Sequence, residues 1–196
     1  MLAMSTGFRV QTTTRQRGTG GILAGLKRMV GGENFFLNEF TATRDAEHII
    51  IGPGLSGDVI HHRLDGGTLI VQGSSWLASG PGIGMDASFQ GLGKALFSGE
   101  SVFWLKCSGR GDLLLNSFGA VYSVDIRDNY VVDSGHIVAF EDTLQFSVGR
   151  LGDSWLQTLL SGEGFVCHFS GQGRLYCQTH SPKSFGQTLG PMLSPR

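Results

Sequence analysis

The sequence predicts an all-β fold, mainly antiparallel with short helices, assembled from an internal repeat into stacked sheets or a barrel. Three observations carry this expectation. A Gly-Glu pair followed by an apolar run recurs three times, as Gly32-Glu33-Asn34-Phe35-Phe36, Gly99-Glu100-Ser101-Val102-Phe103 and Gly162-Glu163-Gly164-Phe165-Val166. The pairs are spaced 67 and 63 residues apart, a period that marks a repeated supersecondary unit. The chain also holds 31 glycines in 196 residues, about twice the ordinary share, which favours many tight turns over long helices.

Each pair follows a short segment of helical spacing. The first has Ile22, Leu23, Leu26, Met29 and Val30 on one face; the second has Leu92, Ala95 and Leu96. The third has Trp155, Leu156, Leu159 and Leu160 behind an Asp153 or Ser154 cap. Gly31, Gly99 and Gly162 stand where a left-handed residue commonly ends a helix.

After each pair comes an aromatic and β-branched run, Phe35 to Phe40, Val102 to Cys107 and Phe165 to Phe169, which reads as a strand. Glycine and small polar residues then turn each run into a second one: Ile49-Ile50-Ile51, Leu113-Leu114-Leu115 and Leu175-Tyr176-Cys177.

A second half-unit follows twice. Val59 to Leu64 and Val121 to Ile126 lead into the polar turns Asp65-Gly66-Gly67 and Asp128-Asn129. They return through Thr68 to Gln72 with Trp76-Leu77-Ala78, and through Tyr130 to Val132 with Ile137-Val138-Ala139. Three first halves and two second halves result. Met1-Leu2-Ala3-Met4-Ser5 reads as the tail of a third second half, comparable to Trp76-Leu77-Ala78-Ser79. Two complete copies cannot close a threefold arrangement, so an open sheet edge is expected. Either another subunit covers it or further residues precede Met1 in the natural protein. Residues 1–179 are expected to form one repeat domain and 180–196, Pro- and Ser-rich, a C-terminal arm.

A chain of this length buries roughly 70% of its unfolded surface and needs no staples. Its net charge of −1 argues against a dedicated nucleic-acid binder. Cys107, Cys167 and Cys177 have no metal-type spacing and suit reduced thiols in a cytosol-like compartment. No apolar run reaches the ~20 residues of a membrane span, and no signal-peptide core is present. Residues 1–32 carry Arg9, Arg15, Arg17, Lys27 and Arg28 without an acid, imitating a mitochondrial presequence, yet they align with the internal copies.

Four segments are shared with a known family. They are Leu26-Lys27-Arg28-Met29-Val30-Gly31-Gly32-Glu33-Asn34-Phe35-Phe36, Gly91-Leu92-Gly93-Lys94-Ala95-Leu96-Phe97 with Gly99-Glu100, Ser108-Gly109-Arg110-Gly111-Asp112-Leu113, and Gly162-Glu163-Gly164-Phe165-Val166. In this order, over nearly the whole chain, they resemble the altered inheritance of mitochondria protein 24 family. The resemblance implies a pseudo-threefold fold of the tryptophan RNA-binding attenuation protein type. It also implies bacterial and fungal mitochondrial relatives, and no established reaction, catalytic residue or cofactor.

Glu33, Glu100 and Glu163 could converge on a hard cation, but they suit equally three carboxylates that hold turn amides. Among His48, His61, His62, His136, His168 and His180, the adjacent His61 and His62 would point to opposite faces of a strand. Arg110-Gly111-Asp112 is an integrin-type tripeptide placed at an expected turn. No Gly-x-Ser-x-Gly elbow is present, and Gly18-Thr19-Gly20-Gly21 and Gly52-Pro53-Gly54 do not continue to a phosphate-loop ending.

No catalytic, metal or cofactor residue is therefore assigned. The expected function is a non-enzymatic interaction or scaffold protein, as a homo-oligomer or with a protein partner, in the cytoplasm, or in mitochondria if the source is eukaryotic. The alternative is binding of nucleic acid or an anionic membrane surface through the basic segment Arg9 to Arg28. A metal-dependent enzyme using the histidines is the third class.

Overall fold

The computed structural model describes residues 1–13, 37–86, 104–149 and 166–194. The strands are β1 (Ala3–Met4), β2 (Phe8–Thr13), β3 (Leu37–Ala42), β4 (Ile49–Ile50), β5 (Val59–Gln72), β6 (Trp76–Ser79) and β7 (Ile83–Asp86). They continue as β8 (Trp104–Asn116), β9 (Val121–Ile126), β10 (Tyr130–Asp133), β11 (Ile137–Glu141), β12 (Leu144–Gly149), β13 (Val166–Gly171) and β14 (Gly173–Gln178). One helix, α1 (Pro182–Leu189), follows. All ladders between named strands are antiparallel, as the sequence predicts. The helical segments and the Gly-Glu pairs at 32–33, 99–100 and 162–163 lie outside the described residues.

The largest sheet runs β6-β8-β5-β11-β14-β9, with β7 sharing the β8 edge beside β6. A second sheet, β10-β13-β12, stacks against it, and the pairs β1-β4 and β2-β3 form two small ladders. The sheets stack rather than close: no barrel forms among the described residues.

Two strands are longer than the sequence predicts. Asp65-Gly66-Gly67 is not a turn but a bulge inside β5, where Asp65 pairs Arg110 and Thr68 pairs Ser108. Ser108 to Asp112, the other expected turn, lies inside β8. Glycine permits both departures: Gly66 and Gly109 have φ of 91° and 125°, so the chain bends there without reversing. The extra residue also flips the side-chain alternation of β5. Ile60, His62 and Leu64 thereby fall on the same face as Leu69 and Val71. That face meets Leu105, Cys107, Leu113 and Leu115 of β8 and Ile83 of β7 in one buried cluster.

The second cluster lies under the other bend. Here the chain changes sheets four times, at β9 to β10, β10 to β11, β11 to β12 and β13 to β14. The expected Asp128-Asn129 turn is the first of them. Ile126, Val132, Leu144, Phe169 and Leu175 fill the space, joined by Ile70 and Trp104 from the first half. Gly73–Ser75 and Ser134–His136 each form a 3-10 turn that two short strands follow, β6 and β7 or β11 and β12. β2, β7 and β12 are strands beyond those expected from the sequence, although each alternates (Phe8 and Val10; Ile83 and Met85; Leu144, Phe146 and Val148); ladders with β3, β8 and β13 hold them.

The N-terminal arm is clamped by Glu47. Its carboxylate accepts hydrogen bonds from Ser5 Oγ, Arg44 Nε and the Gly7 amide. The hydrogen bond from Ser5, then that from Arg44, holds the group below its usual value. Its contribution is thus present above the ordinary carboxylate range, about 4.3, and lost as pH falls through the lower folded value. Glu47→Gln is expected to lower hydrogen-exchange protection at Gly7 near neutral pH, and acid should do the same to the unmodified chain. Equal protection in both proteins at all pH values would refute the clamp.

The C-terminal arm is helical over Pro182–Leu189. Ser181 caps α1, Pro182 occupies its first turn, and Phe185 packs edge-on against Phe118 at 5.2 Å.

Candidate functional site

One exposed edge is formed by β9 and β10. Among the described residues each has a strand partner on one side only, β14 and β13 respectively, and the Val121 amide at the start of β9 donates to Asp58 Oδ2 at 2.9 Å. Beside that edge lies an open hollow of about 480 Å³, lined by Tyr122, Tyr130, Val131, Asp133, His136 and Gln178 among others. Tyr122, Tyr130 and Val131 are exposed, an apolar and aromatic stretch with no charge of its own.

The polar groups of the hollow serve its frame. Gln178 is buried, accepting from the Phe118 amide at 2.8 Å and donating to the Gly135 carbonyl at 2.9 Å. His136 Nδ1 donates to the Gln178 carbonyl at 2.8 Å. Asp133 Oδ1 accepts from the Gly135 amide at 2.7 Å and caps the 3-10 turn. Burial raises the Tyr122 phenol above its ordinary value, and the Cys177 thiol beside it adds to the effect. What remains available is two aromatic rings and an unpaired backbone edge, which suit an extended segment of polypeptide.

The candidates from the sequence are scattered. His61 and His62 do point to opposite faces. His61 Nε2 meets Asp112 Oδ1 at 2.8 Å on the exposed face, while His62 Nδ1 meets the Tyr176 hydroxyl at 3.2 Å. Burial holds the His62 imidazole below its usual value. His48 and His168 are exposed, and His180 packs on Phe118. Among the described residues no group of three His, Cys, Asp or Glu could hold a metal. Glu33, Glu100 and Glu163, and the basic stretch from Arg15 to Arg28, lie outside them; Arg9 is exposed on β2.

Arg110-Gly111-Asp112 is a strand interior whose charges are engaged. Arg110 pairs with Asp65 at 2.7 Å, and Asp112 with Arg63 at 3.2 Å. An integrin-type loop is thereby excluded.

Cys107, Cys167 and Cys177 are free and buried. Burial pushes the first two thiols up to about 12 and the third to about 11. All three are expected to resist a thiol reagent in the native protein at pH 8 and to react together in denaturant. Rapid native labelling at any of them would contradict the core assignment.

Sequence reasoning missed Tyr122, Tyr130 and Val131 as site residues. The sequence carries no signal for them, because an apolar run such as Tyr130-Val131-Val132 reads as an interior strand.

The fold and site define an antiparallel β protein of bent, stacked sheets, with exposed aromatic side chains along one strand edge. Residues 1–180 match the family described as Mitochondrial biogenesis AIM24, and the chain belongs to that family. An uncharacterized protein of Streptococcus pyogenes serotype M6 is 27% identical over 175 residues, which cover 88% of this chain and 70% of that protein. The crystal structure of a Streptococcus pyogenes protein is similar with a TM-score of 0.75 at 23% identity, covering 98% of this chain and 86% of that one. At this identity the likeness shows the fold alone. No described helix is long and apolar enough to cross a membrane.

Proposed function

We propose that this protein is a non-enzymatic interaction or scaffold protein that works by adding a strand from another polypeptide to an open sheet edge. The observation that carries this reading is the exposed β9–β10 edge. Tyr130 and Val131 are solvent-facing there, whereas a neighbouring strand covers Leu69 and Ile70 at the corresponding places of β5. An exposed apolar edge is a template for pairing unless it is blunted by charge or proline, and neither occurs at 130–132.

The recurrence of strand, 3-10 turn and short strands supports a pseudo-threefold plan of the tryptophan RNA-binding attenuation protein type, with β1 to β4 as part of a third unit. Three buried free thiols support a reducing, cytosol-like compartment.

Light scattering on the untagged protein over a concentration series, beside Val131→Lys, tests the function. A mass above that of one chain, reduced by the substitution, is expected. A strictly monomeric protein at every concentration would remove the reading.

A further inference from the structure

We propose that the open edge of β10 receives β1 of a second copy of this chain, antiparallel, with Ala3 opposite Val132 and Met4 opposite Val131. The inference deepens the edge-pairing reading and rests on it; what it adds is the partner and the register.

The template lies within the chain. β11 covers the edge of β5, with Ala139 opposite Val71, Phe140 opposite Ile70 and Glu141 opposite Leu69. β10 stands to β13 as β5 stands to β8. Tyr130 pairs Phe169 and Val132 pairs Cys167, just as Leu69 pairs Cys107 and Val71 pairs Leu105. Tyr130, Val131 and Val132 therefore occupy the places of Leu69, Ile70 and Val71, but no described strand occupies the place of β11.

The N-terminal strands supply that shape. β11 pairs β14 and β12 pairs β13, from Leu144 opposite Gly171 to Gly149 opposite Val166. β1 pairs β4 and β2 pairs β3 in the same way, from Phe8 opposite Ala42 to Thr13 opposite Leu37. Met4 precedes Phe8 by the same interval as Phe140 precedes Leu144, so Met4 corresponds to Phe140 and Ala3 to Ala139.

Burial shows that both halves of this joint are unmade. Phe140 and Ile70 are each 1% exposed and belong to one cluster, whereas Met4 is 39% and Val131 45% exposed. Leu2 beside Met4 and Tyr130 beside Val131 are exposed too. Among the described residues, the β1 ladder runs only to β4 and the β10 ladder only to β13. No charged side chain occurs in residues 1–4 or 130–132, so neither segment opposes the approach. Each copy offers one β1 and one β10 edge, and reciprocal exchange about a twofold axis satisfies both in a closed dimer.

Directly opposed residues of an antiparallel pair bring their Cα atoms about 4.5–5.5 Å apart, within the range a disulfide spans. Met4→Cys and Val131→Cys, prepared separately, are mixed and oxidised mildly; the buried native thiols do not compete. A covalent dimer is expected in the mixture and not in either variant alone. Val10→Cys, exposed on β2, should give none with Val131→Cys.

The remaining outcomes overturn the proposal in distinguishable ways. A Met4→Cys, Val131→Cys double variant that closes within one chain at high dilution, with no cross-link in the mixture, excludes the second copy. Light scattering that still shows an assembly, without the cross-link, refutes this partner and register while the edge-pairing reading survives. A monomer with no cross-link ends both.

Discussion

Phe140→Ala is expected to destabilise the fold by about 3–5 kcal/mol, enough to remove a large part of a typical domain's stability. Phe140 is 1% exposed and meets three aromatic rings at steep angles: Phe146 at 4.8 Å, Phe169 at 5.1 Å and Trp104 at 5.3 Å between centroids. Such pairs contribute about 0.5–1.5 kcal/mol each beyond area burial. The position also resists collapse, because β11 is hydrogen-bonded on both sides, to β14 and β5, and cannot shift into the void. Urea unfolding should show a lower midpoint at an unchanged slope. Val131→Ala, on the exposed edge, should stay within about 0.5 kcal/mol when the protein is dilute. Similar losses for the two variants would mean that Phe140 does not organise the second cluster.

Gly109→Ala is expected to cost about 3 kcal/mol through two effects that add. Gly109 has φ of 125°, a conformation that strains any other residue by about 1–3 kcal/mol. Its added Cβ would also lie 2.3 Å from the Gly82 carbonyl oxygen, a backbone atom that no rotamer change can move. Overpacking of this kind costs about 1–3 kcal/mol. The reciprocal contact is as close: a Cβ on Gly82 would lie 2.1 Å from the Arg110 oxygen. Gly67→Ala on the opposite strand of the same bulge is the control. A Cβ there meets nothing within 4 Å, so the change should be neutral or stabilise by about 0.4–1 kcal/mol. If both glycines tolerate alanine equally in thermal or urea unfolding, the β7–β8 crossing is not as close as described.

These two glycines show why part of the strand plan was legible and part was not. Glycine and polar residues mark a change of direction, and the sequence locates four such places, 65–67, 108–112, 128–129 and 170–173, but not the connections at 80–82 and 142–143. It does not say whether the chain reverses, bends or changes sheets. At Gly66 and Gly109 two opposed flexible positions let a ladder bend intact. At Asp128-Asn129 and at Gln172 the same kind of residues carry the chain from one sheet to the other.

The site was legible in residue type but not in position. Tyr130-Val131-Val132 reads as an interior strand because its apolar character matches Leu69-Ile70-Val71. The histidines and Arg110-Gly111-Asp112 drew attention by chemistry, and their partners are ordinary neighbours on strand faces.

The sequence by itself determined a mostly antiparallel β protein, the location of several of its bends and its family. Those properties reside in local conformational preference, side-chain alternation and shared motifs. Only the tertiary structure decided which bends keep a ladder whole, which strand lies at an edge, and that among the described residues β10 lacks the neighbour that β5 has. Sheet neighbours are joined by backbone groups common to every residue, so side-chain pattern selects the buried face but not the strand that lies alongside.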